Sequence, residues 1–365
     1  MKAITLRILT LLLGLALPLL LAEGLLHLLP VTSGTFAEPV NSVSPIFRFA
    51  RDRDFTWSRD WNFSIVNRGR TNNDGFVNDQ PYVTEERRPL IGVVGDSYVE
   101  AFMVPYPQTF HGRLAADLAA RMRCYSFAAS GAPLSQLLVW MRHARRTYGA
   151  AALVVTVVGN DFDESLAEFK SGPGFHLYID EDADLVLTRF DYAPGAIRGL
   201  VQASALARYL LLNLHADVTL SRLSEALGIG TAQAAAPAFV GNVPTVVDEH
   251  RLHQSQRAVA AFFRDLPAYA DLPPERILFV IDGFRYAANL SARDSYFGLM
   301  RRHFMEQARA RGYALIDADE QFIPYAAAHP AARFEWPSDS HWNPLAHQLI
   351  AQAILRSSWL AGLAP

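Results

Sequence analysis

Residues 89–98 read Pro-Leu-Ile-Gly-Val-Val-Gly-Asp-Ser-Tyr. Leu90 to Val94 form a short apolar run closed by Gly95-Asp96. Such a run suits a strand buried on both faces, as in a parallel sheet. Downstream, residues 108–123 place Phe110, Leu114 and Leu118 on one helical face. Residues 124–128 read as a second strand and Leu134–Tyr148 as a second helix. Residues 152–158, Ala-Leu-Val-Val-Thr-Val-Val, are the clearest strand of all, β-branched and apolar. Residues 276–281 and 313–317 are further strands, with a helix over about 292–311 between them. A last helix runs over about 344–359. This alternation predicts a three-layer α/β/α sandwich, flavodoxin-like in class, with a parallel sheet of about five strands.

Residues 165–250 break the rhythm. Residues 175–180 and 184–190 flank Glu181-Asp182-Ala183 and predict a β-hairpin. A helical stretch over about 197–227 and an Ala-rich linker at 231–238 come next. The whole reads as an insertion into an α/β domain spanning 89–365.

Upstream, residues 51–88 carry Trp57, Trp61 and Phe63 and the turn signal Asn72-Asn73-Asp74-Gly75. They predict a hairpin or extended arm. Residues 31–50, rich in Pro, Ser, Thr and Val, read as a linker; the two together are the segment 31–88. Residues 1–30 begin with Lys2 and Arg7, then an uncharged, leucine-dominated run from Ile8 to Ala22. That run falls short of the roughly 20 residues that cross a bilayer, and including 24–29 restores a span with Glu23 near its end. The positive flank predicts a signal anchor that leaves the body of the protein outside the cytoplasm, on the periplasmic side of an inner membrane. A cleaved signal peptide is the alternative, although no Ala-x-Ala site stands after the apolar run.

Composition narrows the function. The balance of 33 Lys+Arg against 36 Asp+Glu gives no electrostatic reason to expect nucleic acid. A single cysteine, Cys124, excludes an internal disulfide framework and a Cys-rich zinc site.

Ligands of open parallel sheets bind at the carboxyl ends of the strands. The residues directly after the first three strands are Gly95-Asp96-Ser97-Tyr98, Ala129-Ser130-Gly131-Ala132 and Gly159-Asn160-Asp161. Near the C-terminus stands Asp339-Ser340-His341-Trp342-Asn343-Pro344. In these four blocks, and in their order, the chain resembles the SGNH hydrolase superfamily, the GDSL-type esterases and lipases. The resemblance covers about 89–159 and 276–359. Two departures stand out. Tyr98 replaces the usual Leu of the nucleophile block, and the last block reads Asp-x-His where the family usually has Asp-x-x-His.

The resemblance implies a serine hydrolase, and the chemistry is intelligible in the residues themselves. A serine hydroxyl becomes a nucleophile when a base takes its proton. His341 can be that base, and Asp339 is the nearest carboxylate to fix its tautomer, with Glu335 the alternative upstream. Asn343 and Pro344 read as the N-cap and first residue of the last helix. The oxyanion hole is expected from the Ser97 and Gly131 backbone N–H groups and the Asn160 amide. Asp96 reads as a structural loop residue. Asp161, Asp163 and Glu164 read as solvated loop charge rather than a metal site, and His347 as a surface or packing residue. The expected function is hydrolysis of an acyl or acetyl ester, on a cell-envelope glycan or lipid, without cofactor or metal. An O-acyltransferase using the same triad and a non-catalytic glycan-binding protein are the alternatives.

Overall fold

The computed structural model describes residues 2–182, 184–214, 239–240, 243–244 and 246–363. The chain divides into two compact units. The larger contains residues 37–53, 70–193 and 236–365. Its centre is a five-stranded parallel sheet. In chain order the strands are β1 (Leu90–Gly95), β2 (Arg123–Ala128), β3 (Ala150–Val157), β4 (Ile277–Ile281) and β5 (Ala314–Asp317). They lie side by side as β2-β1-β3-β4-β5. This is the flavodoxin-like order, whose ligand crevice opens where the winding reverses, between β1 and β3.

The period-2 alternation of the strands divides the core in two. Leu90, Val94, Phe127, Val155, Val157 and Phe279 face one layer. There they meet helices α2 (Leu134–Tyr148), α3 (Glu249–Ala270) and α4 (Tyr296–Ala310). Ile91, Val93, Cys124, Val154 and Val280 face the other, with α1 (Phe110–Leu118) and α5 (Pro344–Leu355). Helix α3 goes unread in the sequence, as does the helix Asp319–Ala328.

Residues 37–53, within the stretch expected to be a linker, contribute Val40, Phe47 and Phe49 to the first of these layers. The hairpin within the expected insertion forms from His176–Glu181 and Asp184–Arg189, paired antiparallel. The Ala-rich linker and the later part of the 197–227 stretch lie outside the described residues.

The smaller unit gathers residues 1–36, 54–69 and 194–235. The helix Lys2–Leu26 has 25 residues, and Leu11, Leu13, Leu15, Leu17, Leu20 and Leu25 are exposed along it. The expectation of a membrane-spanning anchor finds no support here. Among the described residues no helix is long and apolar enough to cross a membrane. Pro18 lies inside the helix, and Glu23 near its end is committed to polar partners. The Glu23 carboxylate accepts hydrogen bonds from Ser204 Oγ and from the Ala205 and Leu206 N–H groups, each at 2.8 Å. It thereby satisfies N–H groups that the first turn of the helix Ala205–Arg208 leaves open.

Candidate active site

β1 delivers the chain into a tight turn at its carboxyl end. The Asp96 side chain accepts from the Tyr98 N–H at 2.9 Å and caps the helix Ser97–Glu100. Because Asp96 is the cap, the Ser97 hydroxyl is not used for capping. It lies 2.8 Å from Nε2 of His341 and 3.2 Å from Asp96 Oδ2. His341 sits on the short strand Asp339–Trp342, paired antiparallel with Glu335–Trp336, rather than in an open loop. Asn343 caps α5 through the Leu345 and Ala346 N–H groups, with Pro344 as its first residue.

The shortened Asp-x-His spacing closes. Asp339 Oδ1 accepts the His341 N–H at 2.9 Å and is hydrogen-bonded to His341 Nδ1. The Asp339 side chain is 1% exposed and the His341 side chain 22%. The carboxylate is thus withdrawn from water while the imidazole reaches it, the order in which a serine, a base and its orienting acid must stand. Glu335 does not share this role; it accepts from Tyr286 Oη at 2.8 Å.

Gly131 lies after β2 with φ +73°, the left-handed region where glycine carries no steric penalty. A Cβ there would lie 3.4 Å from Lys170 Nζ. Asn160 lies after β3 and donates through Nδ2 to Glu164 Oε2 at 3.2 Å, leaving its second amide hydrogen for another acceptor. Lys170 bridges the two blocks, donating to the Gly131 carbonyl at 2.6 Å and pairing with Glu164. Glu164 therefore belongs to the site. The acidic cluster around it is not solvated: Asp161 is fully buried, and Asp163 is buried and held by Arg251 at 2.6 Å.

Burial pushes the Asp96 carboxyl up to about 6, against the opposing pull of the Tyr98 N–H and the nearby His341. Burial likewise raises Asp161 well above the usual carboxylate range, with Asp96 adding to the effect. Glu100 is fully enclosed beneath the Gly131 loop. Its Oε2 accepts from the Ser130 N–H at 3.0 Å and from the Ser130 hydroxyl. Burial pushes it up to about 8, although both Ser130 bonds favour the carboxylate.

The sign of the Glu100 effect comes from linkage. Between the ordinary value of 4.5 and about 8 the folded chain holds a proton that the unfolded chain has lost. Stability is fully present below 4.5 and falls as pH rises through 8. Glu100→Gln keeps an acceptor for Ser130 and removes this dependence. Its urea midpoint should match wild type in acid and exceed it in alkali, by on the order of a few kcal/mol in free energy. An equal difference from wild type at every pH would contradict this.

Sequence reasoning singled out Ser97, Gly131, Asn160, Asp339 and His341, and the fold gathers them around the carboxyl ends of β1, β2 and β3. It passed over Glu100, Lys170, Asp282 and Arg285. A signal existed for Asp282, which stands directly at the end of β4.

The sheet is flavodoxin-like in strand order, and Ser97, His341 and Asp339 stand in hydrogen-bonding sequence at its carboxyl edge. No protein-family model and no curated protein matches this chain. Solved structures do match, at low identity. LAE5, an alpha/beta hydrolase enzyme from the metagenome of Lake Arreo, Spain, is 16% identical with a TM-score of 0.37, covering 77% of this chain and 99% of its own. The acetyl xylan esterase AlAXEase is 11% identical with a TM-score of 0.40, covering 73% of this chain and 98% of its own. The lipase/acylhydrolase from Enterococcus faecalis is 9% identical with a TM-score of 0.36, covering 75% of this chain and 96% of its own. These likenesses are low.

Proposed function

We propose that the protein is a serine esterase, and the observation that carries this reading is the hydrogen-bonded line Ser97–His341–Asp339 at the carboxyl edge of the sheet. Ser97 Oγ attacks the acyl carbon as its proton passes to His341 Nε2. The carbonyl electron pair moves onto oxygen and is met by the Ser97 and Gly131 N–H groups and the Asn160 amide. Protonated His341 gives its proton to the leaving alkoxide, and the alcohol departs. Water then enters and attacks the acyl carbon as its proton passes to His341; the bond to Ser97 Oγ breaks, His341 returns the proton to Oγ, and the acid leaves. Asp339 holds the ring through Nδ1 and steadies the imidazolium in both halves of the cycle.

An acyl or acetyl group on a cell-envelope glycan or lipid is the proposed substrate. The exposed leucines of the Lys2–Leu26 helix support retention at a membrane, because so many leucines are otherwise left against water. The test is to assay full-length chain, in membrane and soluble fractions, against acyl esters of graded chain length with and without sugar acceptors. Release of free acid, in the membrane fraction, is expected. Acyl transfer to the sugar in preference to water would make the protein a transferase, and no turnover of any ester would overturn the reading.

Among the oxyanion donors the side chain is the easiest to remove. Asn160→Ala should lower kcat by roughly 10²–10³ with little change in KM, since its amide acts on charge that develops in the transition state. Steady-state kinetics on a good ester decides it; an unchanged kcat would leave Asn160 as a loop residue only.

A further inference from the structure

The two departures in the motif blocks, Tyr98 and the shortened Asp-x-His, meet in one buried network. The loop after β4 turns at Asp282-Gly283-Phe284-Arg285, and Arg285 has φ 66°, an uncommon conformation for a side-chain-bearing residue. Asp319 Oδ1 holds that conformation by accepting the Arg285 N–H at 2.8 Å. Gly283 is required for it, because a Cβ there would lie 2.2 Å from the same oxygen. The loop thereby aims the Arg285 guanidinium inward. Nη1 donates to the Ser340 carbonyl at 2.6 Å, and Nη2 donates to Tyr98 Oη and to Asp282 Oδ2, both at 2.7 Å. Tyr98 Oη also reaches the Ser340 carbonyl at 3.4 Å, and its ring lies 5.0 Å from that of His341. Trp342 Nε1 donates to Asp282 Oδ1 at 2.9 Å. Tyr98 and Asp282 are essentially without exposure and Arg285 is 8% exposed.

Ser340 is the single residue between Asp339 and His341. We propose that Arg285, with Tyr98 and Asp282, is a positioning clamp that grips the Ser340 carbonyl and so holds Asp339 and His341 in register across the shortened spacing. A buried ion pair gives a fold little that a well-packed apolar pair would not, so its place here is explained by geometry rather than by stability. The planar fork of arginine suits the role, since it meets a carbonyl, a phenol and a carboxylate at fixed angles. The proposal rests on the esterase reading for its catalytic meaning, but the clamp itself has a readout that needs no substrate.

That readout is the His341 Nδ1 proton in its hydrogen bond to Asp339, followed at fixed pH by NMR with 15N-labelled histidine and assigned by its loss in His341→Gln. The groups that bear on this ring are Asp339, Asp96, Arg285 behind the Ser340 carbonyl, and His347, which burial keeps neutral. Tyr98→Phe changes none of these charges, and Arg285→Lys keeps the charge while losing the fork. In both, a looser turn weakens the Asp339 hydrogen bond that holds the ring. The His341 Nδ1 proton should exchange with water roughly 10-fold faster in each variant while the far-UV spectrum stays that of the folded chain. With ester substrate, kcat should fall roughly 10-fold or more at unchanged KM, as for misplaced catalytic groups generally. A His341 Nδ1 exchange rate unmoved in either variant overturns the clamp. Failure of wild type to turn over any ester, with the exchange rates moving as expected, overturns the esterase reading and leaves the clamp standing.

Discussion

Ser97→Ala should abolish ester turnover, lowering kcat by a factor of roughly 10⁴ or more while leaving the fold intact. The size of the effect comes from the site. The Ser97 hydroxyl has His341 Nε2 at 2.8 Å, so removal of its oxygen removes both the nucleophile and the proton that the base takes. The fold should not notice, because the cap of the helix Ser97–Glu100 is the Asp96 carboxylate and not the serine. Unchanged thermal melting with lost turnover is the expected pair of results. Melting and activity lost together would mean that Ser97 serves structure.

His341→Ala should be as damaging as Ser97→Ala, because the two act as a unit and their losses do not add. Asp339→Asn should cost less, roughly 10²–10⁴ in kcat, since the carboxylate orients the ring and does not itself move the substrate's proton. In this chain Asp339 Oδ1 receives both the backbone N–H and the ring Nδ1 of His341. The oxygen of an amide could accept both contacts but carries no charge to steady the imidazolium, and presenting its NH2 to Nδ1 instead selects the wrong tautomer. A wild-type rate for Asp339→Asn at every pH would leave a Ser97–His341 dyad.

Much of this site is legible in the sequence because parallel strands announce themselves. Ala150–Val157 is buried on both faces, so its apolar run is unbroken, and the residues after Val157 must stand at the carboxyl edge. Leu134–Tyr148 is equally plain, with a full amphipathic repeat closed by Gly149 in the left-handed region. Helix α3 is harder to read for a physical reason. Its buried face runs Ser255, Ala258, Val259, Phe262, Phe263, Leu266 and Ala270, in good helical spacing but diluted by small and polar residues. Residues 40–49 look like linker because Val40, Phe47 and Phe49 are scattered among Pro and Ser, yet each finds the core. The clamp is invisible locally. Tyr98, Asp282, Arg285 and Ser340 come from three separate stretches, and only the sheet order brings them together. The same applies to Lys170, whose hydrogen bond to Gly131 spans the loops after β2 and β3.

The most direct test of a Ser97 nucleophile served by His341 is covalent. A fluorophosphonate reacts with a serine whose hydroxyl a base has activated, and peptide mass spectrometry then locates the adduct. Stoichiometric labelling of Ser97 alone, abolished in Ser97→Ala and strongly slowed in His341→Ala, is the predicted result. An adduct on another residue, or labelling of Ser97 at the same rate without His341, would contradict the account.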